Sequence, residues 1–379
     1  MPTRRLLGKL RPALAAAALA LALPLHAQDI VVGQVGPFTV LPVPDAKQVN
    51  EGIRACLTQV NARGGINGRR FAFFELDDKY SADTFVTVFK QAMQRKPVAL
   101  LTPIGSAAIK RMLDDKLLDS HDVVVLNAIP GAAALREPGH ARLFHIRAGD
   151  REQIEKIVLH AQTLGIRRLS VLYQNIPIGS SGFAAAKEAA AKAGATLEVS
   201  GLQTGTEEAG LAEAAKKIAG AGAQAVLVVG APRYAVDGVA QLRKAGVSQS
   251  IFTLSYVPSG LLAKAAGETA ARGVGITQTF PNPMGVVLPL QRDFRAAMRE
   301  AFPAVQDYTS FHLEGYVSAR VLVEALRRSG EITPEALARS LQSIGEIDLG
   351  GFRVNFGKGN VGSRYVDIGV VTVKGKLMY

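Results

Sequence analysis

The sequence has no tryptophan, one cysteine (Cys56) and six histidines. A single cysteine excludes an intrachain disulfide, so packing alone must hold the chain together. Cys56 lies in "VNEGIRACLTQV", where Val49, Ile53, Cys56, Leu57 and Val60 share one helical face. That pattern reads as core, and no histidine stands near enough in sequence to make a nucleophile of it. His26, His121, His140, His145, His160 and His312 show neither an i,i+4 pair nor an H-E-x-x-H spacing, so neither a metal site nor a catalytic triad is expected. The formal charge is +12, yet no Lys/Arg run interleaved with aromatics occurs, which argues against nucleic acid as a partner.

Long apolar runs are also missing after the first 27 residues. Those residues carry Arg4, Arg5, Lys9 and Arg11, then "ALAAAALALALPL", then a small residue before Gln28. A basic start, a short apolar stretch and a small-residue end are the pattern of a cleaved signal peptide, so the mature chain is expected in the periplasm. Setting these residues aside removes four of the 44 Lys and Arg and none of the 32 Asp and Glu, leaving a net charge of +8. A positive field of that kind favours anionic solutes or an acidic partner. No cysteine follows the signal, which disfavours a lipid anchor.

What the sequence does hold is a repeated alternation. Apolar runs of strand length begin at residues 30, 71, 98, 123, 142, 169, 196, 225, 250 and 273, with amphipathic stretches between them at 83–95, 106–119, 150–164, 181–194, 207–221 and 235–245. Most of the runs are unbroken Val, Ile, Leu or Phe, as in parallel strands covered on both faces. Ten strands suit two sheets better than one, and the pattern runs twice, over 28–146 and 147–277. Helices at 288–302 and 310–328 and a C-terminal β section then follow. An α/β fold of two Rossmann-like lobes is expected, with a chain that crosses between them more than once.

Three motifs look like chemistry and weaken on inspection. "GKGNVG" (357–362) matches the dinucleotide fingerprint, but a strand follows it instead of a helix, so it reads as a glycine-rich hairpin and no cofactor is expected. Asp114–Asp115 falls on the wet face of an amphipathic helix. Asp77–Asp78, after "FAFFEL", lacks a third ligand or a histidine, and Asp77 is expected to cap or orient "KYSAD". The informative residues are the polar turns after the strands: "GPFTVLPVP", "PIGSAA", "IPGAAA", "QNIPIGSSG", "GAPRY" and "YVPSG". In open parallel sheets ligands sit beyond the carboxyl ends of the strands. Ser106 opens a helix whose N–H groups suit a carboxylate, either as the N-cap or as part of an anion site. Arg233 is the one charged residue of the later turns, a solvated helix start or a partner for a carboxylate.

"IVVGQVGPFT", "VNARGGINGRRFAFFELDDKYSADTFVTVFKQAM", "VLYQNIPIGSSGFAAAKEAA" and "FHLEGYVSARVLVEALRRSG", taken in order, resemble the type I periplasmic solute-binding proteins of ABC importers, nearest the leucine/isoleucine/valine-binding group. The resemblance implies three crossovers, with lobe one at 28–147 and 278–348 and lobe two at 148–277 and 349–379. It implies hinge closure on one small solute, a monomer, delivery to the permease's membrane subunits and no enzymatic activity. A ligand sensor of the same fold is the alternative. By resemblance, Ser106 receives the ligand carboxylate, with Gly105 and Ala107 beside it. Ile129, Pro130 and Gly131 replace the usual small pair and threonine, and Ile178 replaces a tyrosine. Tyr256 stands in a loop that often supplies an acid for an ammonium group. Phe38 and Phe280 complete the expected ligand contacts. No acid other than Asp45 is near to hand, so an organic or aromatic carboxylate or an amide is expected in preference to a branched-chain amino acid.

Overall fold

The structure, a computed structural model, describes residues 28–39, 44–194, 197–357 and 359–379. The expected signal peptide lies outside them, as does the side chain of Asp45. In chain order the first lobe begins with β1 (Ile30–Gly36), α1 (Pro44–Ala62), β2 (Phe71–Asp77), α2 (Ala82–Gln94), β3 (Ala99–Leu101), α3 (Ser106–Asp114), α4 (Leu117–Ser120), β4 (Val124–Leu126) and β5 (Leu143–Phe144). These strands form one parallel sheet in the order β2-β1-β3-β4-β5. The second lobe follows with α5 (Asp150–Thr163), β6 (Arg168–Gln174), α6 (Pro177–Lys192), β7 (Glu198–Thr204), α7 (Glu208–Gly220), β8 (Ala225–Val229), α8 (Pro232–Lys244), β9 (Ser250–Thr253), α9 (Ser259–Ala266), α10 (Glu268–Ala271) and β10 (Gly275–Gln278).

The chain then returns with α11 (Pro289–Ala301), α12 (Ser310–Arg328), α13 (Pro334–Ser343) and the ladder of β11 (Glu346–Asp348) with β12 (Arg353–Asn355). It ends on β13 (Asp367–Val371) and β14 (Leu377–Met378). The second sheet has the order β14-β13-β10-β9-β8-β6-β7, parallel except at its last two strands, where β13 runs against β10 and β14 against β13. The order 7-6-8-9-10 repeats 2-1-3-4-5, so each lobe has its own switch point, between β1 and β3 and between β6 and β8.

Unbroken apolar strands follow from covering both sheet faces. In β8, Val226 and Val228 join a core with α7 to α10, while Ala225, Leu227 and Val229 join another with α5 and α6. In the first sheet, Val125 faces α2, α3 and α4, and Val124 and Leu126 face α1 and α12. The returning segment supplies that second cover. Helix α12 lies against α1 so closely that a Cβ on Gly52 would sit 1.9 Å from the His312 carbonyl oxygen, and one on Gly315 2.0 Å from that of Val49. Cys56 is fully buried here, and burial pushes its thiol up to about 12.

Three local readings are corrected. Helices α6 and α8 begin at 177 and 232, earlier than 181 and 235, because Pro177 and Pro232 occupy the first helical turn, where a missing N–H costs nothing. Residues 334–343, to which the sequence reading gives no element, form α13, capped by the Thr333 hydroxyl accepting from Ala336 N. "GKGNVG" is not the turn of a hairpin, since β12 pairs with β11 and β13 with β10. It belongs to the third crossing, where Val361 bridges His145 of the first crossing in parallel. His145 N donates to Asn360 O at 2.7 Å and Gly362 N to His145 O at 2.7 Å. Leu349, Phe352, Val354 and Phe356 pack in the first lobe's core, so the last crossing falls between 356 and 367.

Candidate functional site

The turn after β1 meets the turn after β2 through the acid pair. Asp77 accepts from Phe38 N (2.9 Å), Lys79 N (3.0 Å) and the Thr39 hydroxyl. Burial alone would raise the Asp77 carboxyl; the Thr39 hydroxyl and the two amides hold it below the usual range. Asp78 accepts from Tyr80 N at 2.8 Å through one oxygen, while the other is buried and unpartnered. Burial pushes this carboxyl up to about 6, against the pull of the Tyr80 amide. Lys79 and Tyr80 both take positive φ, and the two Asx contacts stabilise that turn. Ser81, and not Asp77, caps α2 by accepting from Thr84 N. The turn sets the half-exposed Tyr80 ring beside Gly105, where an added Cβ would lie 3.4 Å from Cε2.

Gly105 is itself the N-cap of α3, with φ 117°, so Ser106 is the first helical residue and not the cap. Ser106 and Ala107 are exposed at the helix start, the end that carries free N–H groups and positive potential. Ile104, just before, packs with Ala46 and Ile129, and half-buried Phe38 and Tyr256 lie against them. Tyr256 comes from the second lobe, Ala46 from the start of α1, and the rest from the turns of the first lobe. Four sequence-predicted neighbourhoods are therefore gathered at one place: Phe38, the Gly105–Ala107 turn through Ile104, Ile129 with Pro130 and Gly131, and Tyr256.

Three predicted residues stand elsewhere. Phe280 is fully buried in the first lobe's core, its ring centroid 5.4 Å from that of Phe352, because the chain after β10 turns straight back into that core. Arg233 is largely exposed and bound to Asp237 one turn on, at 2.8 Å. Ile178, in the first turn of α6, is not in the cluster around Ile104 and packs on the second lobe's core, against which Tyr256 also rests. Asp114 and Asp115 are paired with Lys110 and Arg111 on the surface of α3.

Behind the cluster lies a buried polar seam that sequence reasoning missed. Arg147 and Glu314 are both buried, with Nη1 3.3 Å from Oε2. Asn127 donates to Glu314 Oε1 (3.0 Å) and to the Ser318 hydroxyl (2.9 Å), and accepts from the amides of Ile146 and Arg147. Arg136 donates to Arg147 O at 2.9 Å. The Tyr256 hydroxyl donates to Asp150 Oδ1 at 2.5 Å, and Asp150 N donates to Gly131 O at 2.9 Å. Burial raises the carboxyls of Asp150 and Glu314 and the Tyr256 hydroxyl, and lowers Arg136 and His145. Gly131 is required at this point: a Cβ would sit 2.3 Å from the Tyr256 hydroxyl and 2.4 Å from Asp150 Oδ1. The hydrogen-bonded pairs named here lie 11 to 191 positions apart in sequence, so no local motif announces them; the one available signal was polar residues inside otherwise apolar helix faces, as at Glu314 and Ser318 in α12.

Two doubly wound lobes, three crossings and facing strand-end turns define a type I periplasmic binding fold, the architecture of proteins that bind solutes between lobes. The chain belongs to the periplasmic binding proteins, whose family model matches residues 29–376. It is similar to an extracellular ligand-binding receptor from Verminephrobacter eiseniae, with 52% identity over 93% of this chain and 100% of that one and a TM-score of 0.89. It shares its fold with a fatty acid ABC transporter substrate-binding protein from Thermomonospora curvata (20% identity, 92% and 91% coverage, TM-score 0.78). The fold also matches an ABC transporter substrate-binding protein from Desulfitobacterium hafniense in complex with Leu (20% identity, 93% and 100% coverage, TM-score 0.77). No curated protein matches the chain.

Proposed function

We propose that this chain is the periplasmic solute receptor of an ABC importer, binding without chemical turnover. It closes its lobes on a small solute and hands it, as a monomer, to the permease's membrane subunits. The lobes in this reading are 28–147 with 278–356, and 148–277 with 367–379. The observation that carries it is the apolar cluster of Phe38, Ile104, Ile129 and Tyr256, drawn from both lobes beyond the carboxyl ends of the strands. Support comes from the names of its structural neighbours, two of which are ABC transporter substrate-binding proteins.

The preferred solute is a carboxylate with an aromatic or otherwise apolar body. The start of α3 at Ser106 suits the carboxylate, and the cluster suits the body. Of the nearby charges, Asp77 is held by Phe38, Thr39 and Lys79, and Arg147 by Glu314. Asp78 and Asp150 each keep one buried oxygen without a partner, but burial raises both carboxyls toward the neutral form, so an α-ammonium would meet only a weakened counter-charge there. Isothermal titration of refolded protein with benzoate, phenylacetate, octanoate and L-leucine tests this. One of the first three should bind, with affinity falling about tenfold or more in Ser106→Pro, since proline removes an N–H from the helix start. Tight leucine binding that Ser106→Pro leaves unchanged would overturn the assignment.

A further inference from the structure

The polar seam joins the lobes. On the first-lobe side Arg147 is anchored by Glu314, and Glu314 in turn by Asn127. Its other arm crosses: Nη2 donates to the Ser255 hydroxyl at 2.5 Å, and the guanidinium stands 4.8 Å from the centroid of the Tyr256 ring. Asp150 holds the hydroxyl of that ring from within the second lobe and donates its amide back to Gly131 of the first. The remaining edge of the ring rests among Ile104, Ile129, Ala46 and Phe38. A rotation that parts the lobes at this point would separate Tyr256 from this apolar cluster and Arg147 from Ser255.

We propose that Tyr256 is the latch that sets how far the solute-free protein stands open, with Asp150 and Arg147 as the residues that position it. The ring is clamped on its hydroxyl end and on one face, so it acts as a rigid wedge fixed to the second lobe and seated in the first. Gly131 is what admits it, because any side chain there would occupy the space of the hydroxyl and of Asp150 Oδ1. The latch then tunes a solute's apparent affinity through the fraction of the protein that is closed. The meaning of the latch rests on the solute-receptor reading, but the closure itself does not.

The test needs no ligand. Spin labels are placed at Lys90→Cys in α2 and Lys216→Cys in α7, both exposed, one on each lobe. Distance distributions are then recorded by pulsed electron resonance on protein refolded from denaturant. The wild-type background should give a dominant short distance. Tyr256→Ala should raise the population at longer distances about tenfold relative to the short one, and Tyr256→Phe, which keeps the ring and loses the Asp150 bond, should shift it the same way by less. Thermal melts confirm that each variant is folded, and Tyr256→Phe carries the test if the alanine variant is not. Distributions identical in all folded variants, or a wild type already dominated by the long distance, would overturn the latch. Failure of every solute to bind would instead count against the receptor reading and leave the distances unaffected.

Discussion

Asp77 and Asp78 look like a matched acid pair and do different work. The first organises two turns through hydrogen bonds, and the second is buried with one oxygen unpartnered. Because burial lifts Asp78 from 3.8 to about 6, the folded state binds its proton more tightly than the unfolded state does. Its stabilising protonation is complete below about pH 4 and is lost as pH rises through 6. Asp78→Asn keeps an acceptor for the Tyr80 amide and removes the titration. It should melt roughly 2–4 °C above wild type at pH 7 to 8, part of the cost being screened by solvent, and the gap should close by pH 4 in thermal scans. Cys56 makes a simpler prediction. Fully buried with its thiol pushed up to about 12, it should stay unmodified by iodoacetamide in the native protein and react fully in denaturant, as read by intact mass. The core role of Cys56 was legible in its helical periodicity. The role of Asp150 was not, since its partners Gly131 and Tyr256 arrive through tertiary folding.

Among the elements, the strands were the most legible, because nine of the ten expected are short apolar runs bounded by turns and lie where the runs fall. The exception is β7 (Glu198–Thr204), a largely exposed edge strand that only overlaps the run begun at 196. Helix starts at Pro177 and Pro232 were read late, since proline in a turn-like string marks a loop as readily as a first helical residue. The α1–α12 contact was invisible in either helix alone, as a glycine inside a helix only lowers propensity until a partner backbone explains it. Gly52→Ala and Gly315→Ala each force a methyl to about 2 Å from a carbonyl oxygen of the other helix, and no side chain can turn aside to relieve it. Each should destabilise the protein by about 3 kcal/mol or more, measured by urea unfolding, far beyond the effect of Gly260→Ala, whose added methyl meets nothing within 4 Å.

At the scale of the molecule, the family and the two-lobe plan were legible from the order of motifs, whereas the seam between lobes was not. Its central pair, Arg147 and Glu314, comes from the first crossing and from α12, 167 positions apart. Glu314→Gln leaves a buried guanidinium without its counter-charge. That substitution should cost about 3–5 kcal/mol in chemical unfolding, more than loss of the exposed Arg233–Asp237 pair, which should cost under about 1 kcal/mol.

The return of the chain to its first lobe also sets a timetable. Strands β1 to β5 are complete by residue 144, yet one face of their sheet is covered by α11 to α13 and by Leu349, Phe352, Val354 and Phe356. During synthesis or threading through a pore, that sheet must wait with only α1 on this apolar face until nearly the whole polypeptide has emerged. The second lobe, whose parallel strands β6 to β10 and their helices are consecutive, has no such wait. The lobe that begins first is therefore the one that finishes last, and the interval between is when a chaperone has most to shield.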